Sequence, residues 1–181
     1  QVDYLADYVE ERASNVDRRF SNLANLHTAA AEELERRVRR MSPAEAERLM
    51  DIYYPRKGDG TRRSRPEYFD GHADGDGAVT YGVGAFISRA DSIPLVEKKA
   101  LAAALEIVSD VGQAARRDYD NFYFFTPATR LVMFGPDRKD RLMFYRQDAP
   151  ADLDISGEEM ARITLPANDP ERATRCTNLQ R

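Results

Sequence analysis

The chain has little of what covalent, metal or membrane chemistry requires. Among 181 residues there is no tryptophan, one cysteine and two histidines. A single cysteine cannot build an internal disulfide framework. His27 and His72 lie far apart and lack the spacing of paired metal ligands, so no zinc or iron site is predicted. No run of about 18 apolar residues occurs, and no signal peptide is visible.

Charge and motif content exclude two further classes of function. The net charge is −4, so the chain has no basic field that could hold a nucleic acid. It contains no GxSxG, P-loop or GxGxxG motif, and no cofactor or catalytic activity is expected from it. With 42% hydrophobic and 32% charged residues, the composition is typical of a globular domain. The length suits one domain plus an extended element.

The first 41 residues carry a helical pattern without Gly or Pro. A helix of about 40 residues would be roughly 60 Å long, which exceeds what a small domain can cover. One interpretation is a parallel homodimer through Val16, Phe20, Leu23, Ala30 and Leu34, and the other is a helix that lies along its own domain. The apolar positions, mostly at steps of three and four, are Val2, Leu5, Val9, Val16, Phe20, Leu23, Ala30, Leu34, Val38 and Met41.

The rest of the chain predicts an α+β fold, in which helices pack on an antiparallel sheet. Strands that return by hairpins favour the antiparallel arrangement. The segment from Ser42 to Glu45 has the signals of a helix start, with Ser42 as cap and Pro43 in the first turn. The predicted elements after that cap are a short helix to about Ile52, a short strand at Glu67–Phe69, a strand at Gly77–Arg89, a helix at Ile93–Asp118 capped by Ser92, a hairpin of Phe122–Phe125 and Leu131–Phe134 that forms the centre of the sheet, a strand or helix at Arg141–Arg146, and a weak helix near Gly157–Ile163.

Two glycines give the strand at Gly77–Arg89 an unusual face. Thr80, Gly82, Gly84 and Phe86 share that face, and the glycines leave it hollow. Either a helix packs closely against it or a ligand does. The preceding Asp-Gly-rich segment matches a calcium-binding loop only in part, because a histidine and a tyrosine occupy ligand positions. Tight turns are therefore predicted there, and no metal.

The hollow face and the long loop from Tyr53 to Phe69 together predict a pocket for a small polar ligand. Fork-shaped cations beside aromatic walls can hold a small carboxylate. The alternative is that the tyrosine at 123 is core and the arginines are solvated. The candidate anion-binding residues are Arg62, Arg65 and Arg130, and the candidate walls are Tyr81, Tyr123 and Tyr145; Arg146, beside the last of these, has the same character.

Three segments resemble the PDC/Cache class of extracytoplasmic sensor domains in bacterial receptors. The long first helix resembles the stalk of that class, GAVTYGVGAFIS resembles its central strand, and NFYFFTPATRLVMFGP resembles the hairpin that follows. The resemblance implies a periplasmic sensor whose parent protein is anchored in the inner membrane. A sensor histidine kinase is the favoured parent, with a diguanylate cyclase or chemoreceptor as alternatives. A competing class is a structural or interaction module that acts through the long helix.

The ends of the chain indicate a piece of a longer protein, and the alternative is a trimmed cytosolic protein. The sequence starts at Gln1 without Met and is helical in pattern at once. Residues 1–41 are assigned to a stalk helix, 42–165 to the sensor domain and 166–181 to a tail that enters a further module. Because a lone thiol is a liability in an oxidising compartment, Cys176 is predicted to form a disulfide with a cysteine beyond Arg181.

Overall fold

The computed structural model describes residues 2–73, 75, 77, 79–173, 175 and 177. The chain is α+β, as predicted, with a long first helix followed by a small antiparallel sheet and its helices. The elements in chain order are α1 (Val2–Arg40), α2 (Pro43–Tyr53), β1 (Arg62–Arg63), α3 (Glu67–Asp70), β2 (His72–Ala73), β3 (Val79–Thr80), β4 (Val83–Ile87), α4 (Leu95–Ala115), β5 (Phe122–Phe125), β6 (Leu131–Phe134), α5 (Lys139–Met143), a π-helical turn (Phe144–Asp148) and α6 (Glu159–Arg162).

The main sheet has four antiparallel strands in the order β1-β4-β6-β5. This confirms the prediction that β4, β5 and β6 are neighbours. Ala85 lies opposite Val132, which lies opposite Phe124, so these side chains share one face. That face packs on α4, and its buried side chains surround the helix residues Leu101 and Leu105. The hairpin is not central as predicted, because β5 forms one edge of the sheet.

The predicted strand at Gly77–Arg89 is interrupted. Gly82 has a φ of +65°, a left-handed conformation that turns the chain, and its backbone N–H donates to the Phe69 carbonyl at 2.9 Å. Residues before the turn form β3, which pairs with β2 in a separate two-stranded sheet. The predicted strand at Glu67–Phe69 is also wrong, since those residues lie in α3.

The start of α2 was predicted correctly, and the start of α4 was not. The Ser42 hydroxyl accepts a hydrogen bond from the Glu45 amide at 3.1 Å and caps α2 as expected. Helix α4, in contrast, begins at Leu95 with Pro94 as its cap residue and no side-chain capping bond. The fixed φ of proline suits the approach to a first helical turn, so Ser92 is not needed as a cap.

Helix α1 divides into a packed half and a free half. Ala30 and Leu34 pack into the core clusters beneath α4. Farther towards the N-terminus, the Tyr119 hydroxyl donates to the Arg19 carbonyl at 2.9 Å. From Tyr4 to Phe20 most side chains are exposed, including Val16 and Phe20. Ala30 and Leu34 of the predicted dimer interface therefore already pack against the chain's own core.

No helix in the described part of the chain is long and apolar enough to cross a membrane. The predicted disulfide of Cys176 falls outside the described residues. The predicted helix near Gly157–Ile163 is present as the shorter α6.

Candidate functional site

The structure does not bring the six predicted ligand-binding residues together. Arg62 pairs in register with Ile87, whose side chain belongs to the face that packs on α4. Tyr123 pairs with Met133, which pairs with Gly84, so Tyr123 lies on the opposite face. Residues on opposite faces of a sheet cannot line one pocket.

Arg62 and Arg130 are already bound to partners within the chain. Arg62 donates to the Asp51 carboxylate at 2.7 Å and to the Tyr54 carbonyl at 3.0 Å, so it holds the end of α2 to β1. Arg130 is buried and forms an ion pair with the almost equally buried Glu97 of α4. Both guanidinium groups therefore have structural roles, and neither is free to bind an anion in this arrangement.

The remaining predicted residues are dispersed. Arg65 is exposed to solvent. Tyr81 contacts Phe134 edge to face, with ring centroids 5.7 Å apart. Tyr123 stacks on Phe125 on the edge strand, and partial burial raises the pKa of its phenol. Burial also raises the pKa of Tyr145, which is half-buried in the π-helical turn.

The face with the two glycines is filled by the chain itself. A Cβ at Gly84 would lie 2.8 Å from Leu142 Cδ2, and a Cβ at Gly82 would lie 2.9 Å from Pro136 Cβ. Of the two alternatives for this face, close packing of a helix is therefore the one observed, with α5 as that helix. The pocket predicted directly over Gly82 and Gly84 is not formed.

The same side of the sheet nevertheless buries two arginines that α5 and the π-helical turn cover. Arg63 is 3% exposed and its guanidinium lies over the Phe86 ring, 5.0 Å from the centroid. Its hydrogen bonds satisfy all three nitrogens. The acceptors are Thr61 Oγ1 at 3.0 Å, the Tyr145 carbonyl at 3.3 Å, an Asp59 carboxylate oxygen at 3.3 Å and the Ala149 carbonyl at 2.6 Å.

Arg146 lies in the π-helical turn and has a different environment. It is 6% exposed, and its guanidinium lies over the Phe69 ring of α3, 5.4 Å from the centroid. Its Nε is enclosed and has no hydrogen-bond partner. No ion pair between described residues includes Arg146. A buried guanidinium without a counter-charge is costly, which makes this position the strongest candidate site in the described structure.

Both buried arginines are sequence neighbours of residues predicted to bind the ligand. Arg63 follows Arg62 in β1, and consecutive side chains of a strand lie on opposite faces of the sheet. The prediction named the arginine on the α4 side, one residue away from the arginine that is buried on the other side. Arg146 follows Tyr145 and shares its aromatic and cationic surroundings in the sequence. The sequence signal that could have found Arg63 is the alternation through β1, which is too short here to show a period.

Metal binding has no support among the residues that the structure describes. They include no group of three or more His, Cys, Asp or Glu side chains that could hold an ion. Asp74 and Asp76 of the Asp-Gly-rich segment lie outside the described residues.

Comparisons with known proteins do not indicate what the site does. Comparison of the chain with protein-family models, with curated proteins and with solved structures finds no match.

Proposed function

We propose that the chain is an extracytoplasmic ligand-sensing domain of a bacterial signal-transduction receptor, with a sensor histidine kinase as the favoured parent. The receptor would be anchored in the inner membrane, and the domain would lie in the periplasm. The fold supports this proposal by its layout, a long first helix followed by an antiparallel sheet flanked by helices. The observation that carries the proposal is that α1 is embedded in the domain at one end and free at the other.

The free end of α1 has the properties of a helix that needs a partner. At 1.5 Å per residue, the segment before Arg19 extends roughly 25 Å past the hydrogen bond from Tyr119. A helix of that length is marginal in water when nothing packs against it. Large apolar side chains nevertheless project from one side of α1 between Leu5 and Phe20, at intervals of four and seven. They are Leu5, Val9, Val16 and Phe20, all more than half exposed.

A second copy of the chain, aligned in parallel, is the partner we propose for this stripe. Parallel alignment is what two receptor subunits attached to one membrane require. The interface is limited to the free half of α1, because α4 covers the stripe from Ala30 onwards. Movement within the domain would then reach the membrane through the paired helices.

Replacement of Val16 and Phe20 by Glu should convert a dimer into a monomer. Placing two charged side chains in an apolar seam should weaken association by at least about a hundredfold. Sedimentation velocity across a range of concentrations measures this directly. Ser14→Glu is the matched control, since Ser14 is exposed on the other side of the helix, and it should leave the mass unchanged. A wild-type chain that stays monomeric at high concentration would contradict the dimer.

The location of the domain can be tested separately with a membrane-impermeant maleimide. Ser14→Cys places an exposed thiol on the free half of α1, and the parent without this substitution gives the background labelling. In intact cells with a permeabilised outer membrane, we expect labelling as complete as after lysis. Labelling that requires lysis of the inner membrane would place the domain in the cytoplasm and refute the receptor proposal.

An interaction module that acts only through α1 is the second candidate function. The observation that favours it is the packing of Leu142 against Gly84, which fills the face where a ligand was expected. Such a module would still dimerise through Val16 and Phe20. It would not respond to a small molecule, and that difference separates it from a sensor.

A further inference from the structure

We infer that Arg146 binds the carboxylate group of a small organic anion, on the side of the sheet opposite α4. The inference names the ligand class for the sensing role, and only its part in signalling rests on the proposed function. The binding itself can be measured on this chain whether or not the chain belongs to a receptor.

The first support is that no ion pair between described residues includes Arg146, although its side chain is only 6% exposed. Arginine stays protonated under all ordinary conditions, so the buried group cannot shed its charge. Its Nε donor is enclosed without an acceptor, and no carboxylate among the described residues pairs with it. Buried unsatisfied donors are rare in native proteins and call for a specific explanation.

The neighbouring arginine shows what a structural arginine looks like in the same environment. Arg63 is equally buried, yet each of its guanidinium nitrogens donates to a protein acceptor. Asp59 adds a carboxylate at 3.3 Å. Arg63 is therefore satisfied by the fold, and Arg146 is not.

The lack of an ion-pair partner at Arg146 also indicates which class of ligand would bind. One unpaired positive charge matches a monoanion, and a carboxylate accepts two parallel N–H bonds from the edge of a guanidinium. A phosphate dianion would need a second free cation. Arg63 cannot supply it, because its N–H groups are already committed.

The local backbone and the Phe69 ring provide the geometry. The Arg146 guanidinium carbon lies over the Phe69 ring, and this cation–π contact occupies none of the N–H donors. Arg146 is placed there by the π-helical turn Phe144–Asp148 rather than by a continuation of α5. Turns of this kind are rare and occur frequently at functional sites.

The test is a thermal unfolding series of the whole chain in sodium acetate, with sodium chloride at equal ionic strength as reference. We expect acetate to raise the midpoint of the wild type beyond the chloride reference, because a ligand stabilises the folded state to which it binds. Arg146→Met should weaken acetate binding by about tenfold to a hundredfold. Its midpoint without acetate should equal or exceed that of the wild type, since a buried unpaired charge has been removed.

Arg141→Met is the matched control, since Arg141 is an exposed arginine of α5, and it should retain the acetate response. If Arg146→Met fails to fold, the Arg Nε–H resonances of the wild type provide a second measurement. Acetate should shift one of them to saturation, and Arg146→Lys should remove that resonance. The inference is overturned if acetate acts no differently from chloride, if Arg146→Met responds as the wild type does, or if phosphate binds and acetate does not. A positive acetate result together with cytoplasmic labelling of Ser14→Cys would keep the site and reject the receptor.

Discussion

Replacement of Glu97 by Ala is expected to lower the free energy of unfolding by about 3–5 kcal/mol. Arg130 is 7% exposed and the Glu97 side chain is 11% exposed, so the two charges share a site with little water. Removing the carboxylate leaves a guanidinium that is buried, permanently charged and unpaired. Denaturant unfolding at neutral pH, with an unchanged denaturant dependence, measures the loss.

The Glu97–Arg130 ion pair should stabilise the fold no more than two apolar side chains in its place would. Glu97 Oε1 and Arg130 Nε are both buried without hydrogen-bond partners, so the desolvation of the two charges is only partly offset. We therefore expect the double variant Glu97→Leu with Arg130→Met to be as stable as the wild type or more stable. Glu47→Ala serves as control, because it removes a carboxylate that is 54% exposed from its pair with Lys98 and should cost less than about 1 kcal/mol. A cost below about 1 kcal/mol for Glu97→Ala would show that Arg130 reaches water or another anion.

The Glu97–Arg130 pair also shows why the candidate site could not be chosen from the sequence. Nothing in the order of residues connects the first turn of α4 with the residue before β6, and their contact depends on how the helix crosses the sheet. Arg130 therefore looked free and is not. Arg146 looked no different from it, and its lack of a partner is visible only once the fold is known.

Elements with local signals were predicted well. Helix α1 follows from a long uninterrupted period, and the start of α2 follows from the capping chemistry of Ser42. The break in the strand at Gly82 could not be predicted. The alternation of side chains in the sequence continues through the turn, although the extended backbone conformation ends there. Similarly, one apolar stripe runs from Leu5 to Leu34, and only the position of α4 shows which half is already covered.

Gly112 is the position at which helix preference alone predicts the wrong effect of a substitution on stability. Within a helix, glycine is less favourable than alanine by about 0.5–1 kcal/mol, so Gly112→Ala in the last turn of α4 would ordinarily stabilise that helix. In this fold a Cβ at that position would overlap Cγ and Cδ1 of the Phe134 ring and would lie 2.8 Å from Phe134 Cβ. Gly112 thus permits the close approach of α4 to β6.

Gly112→Ala should therefore lower the free energy of unfolding by about 1–3 kcal/mol, against the intrinsic helix preference. Phe134 cannot move easily, because it is 1% exposed and belongs to the same core cluster as Val83 and Val108. Gly58→Ala is the control, since nothing lies within 4 Å of the position that its Cβ would take, and its stability should change by less than about 0.5 kcal/mol. Phe134→Leu should cost less in the Gly112→Ala background than in the wild type, because the smaller side chain makes room for the new methyl group. Denaturant unfolding of the four chains gives this coupling energy; additive costs, or a Gly112→Ala chain more stable than the wild type, would show that α4 can move away from the sheet without loss.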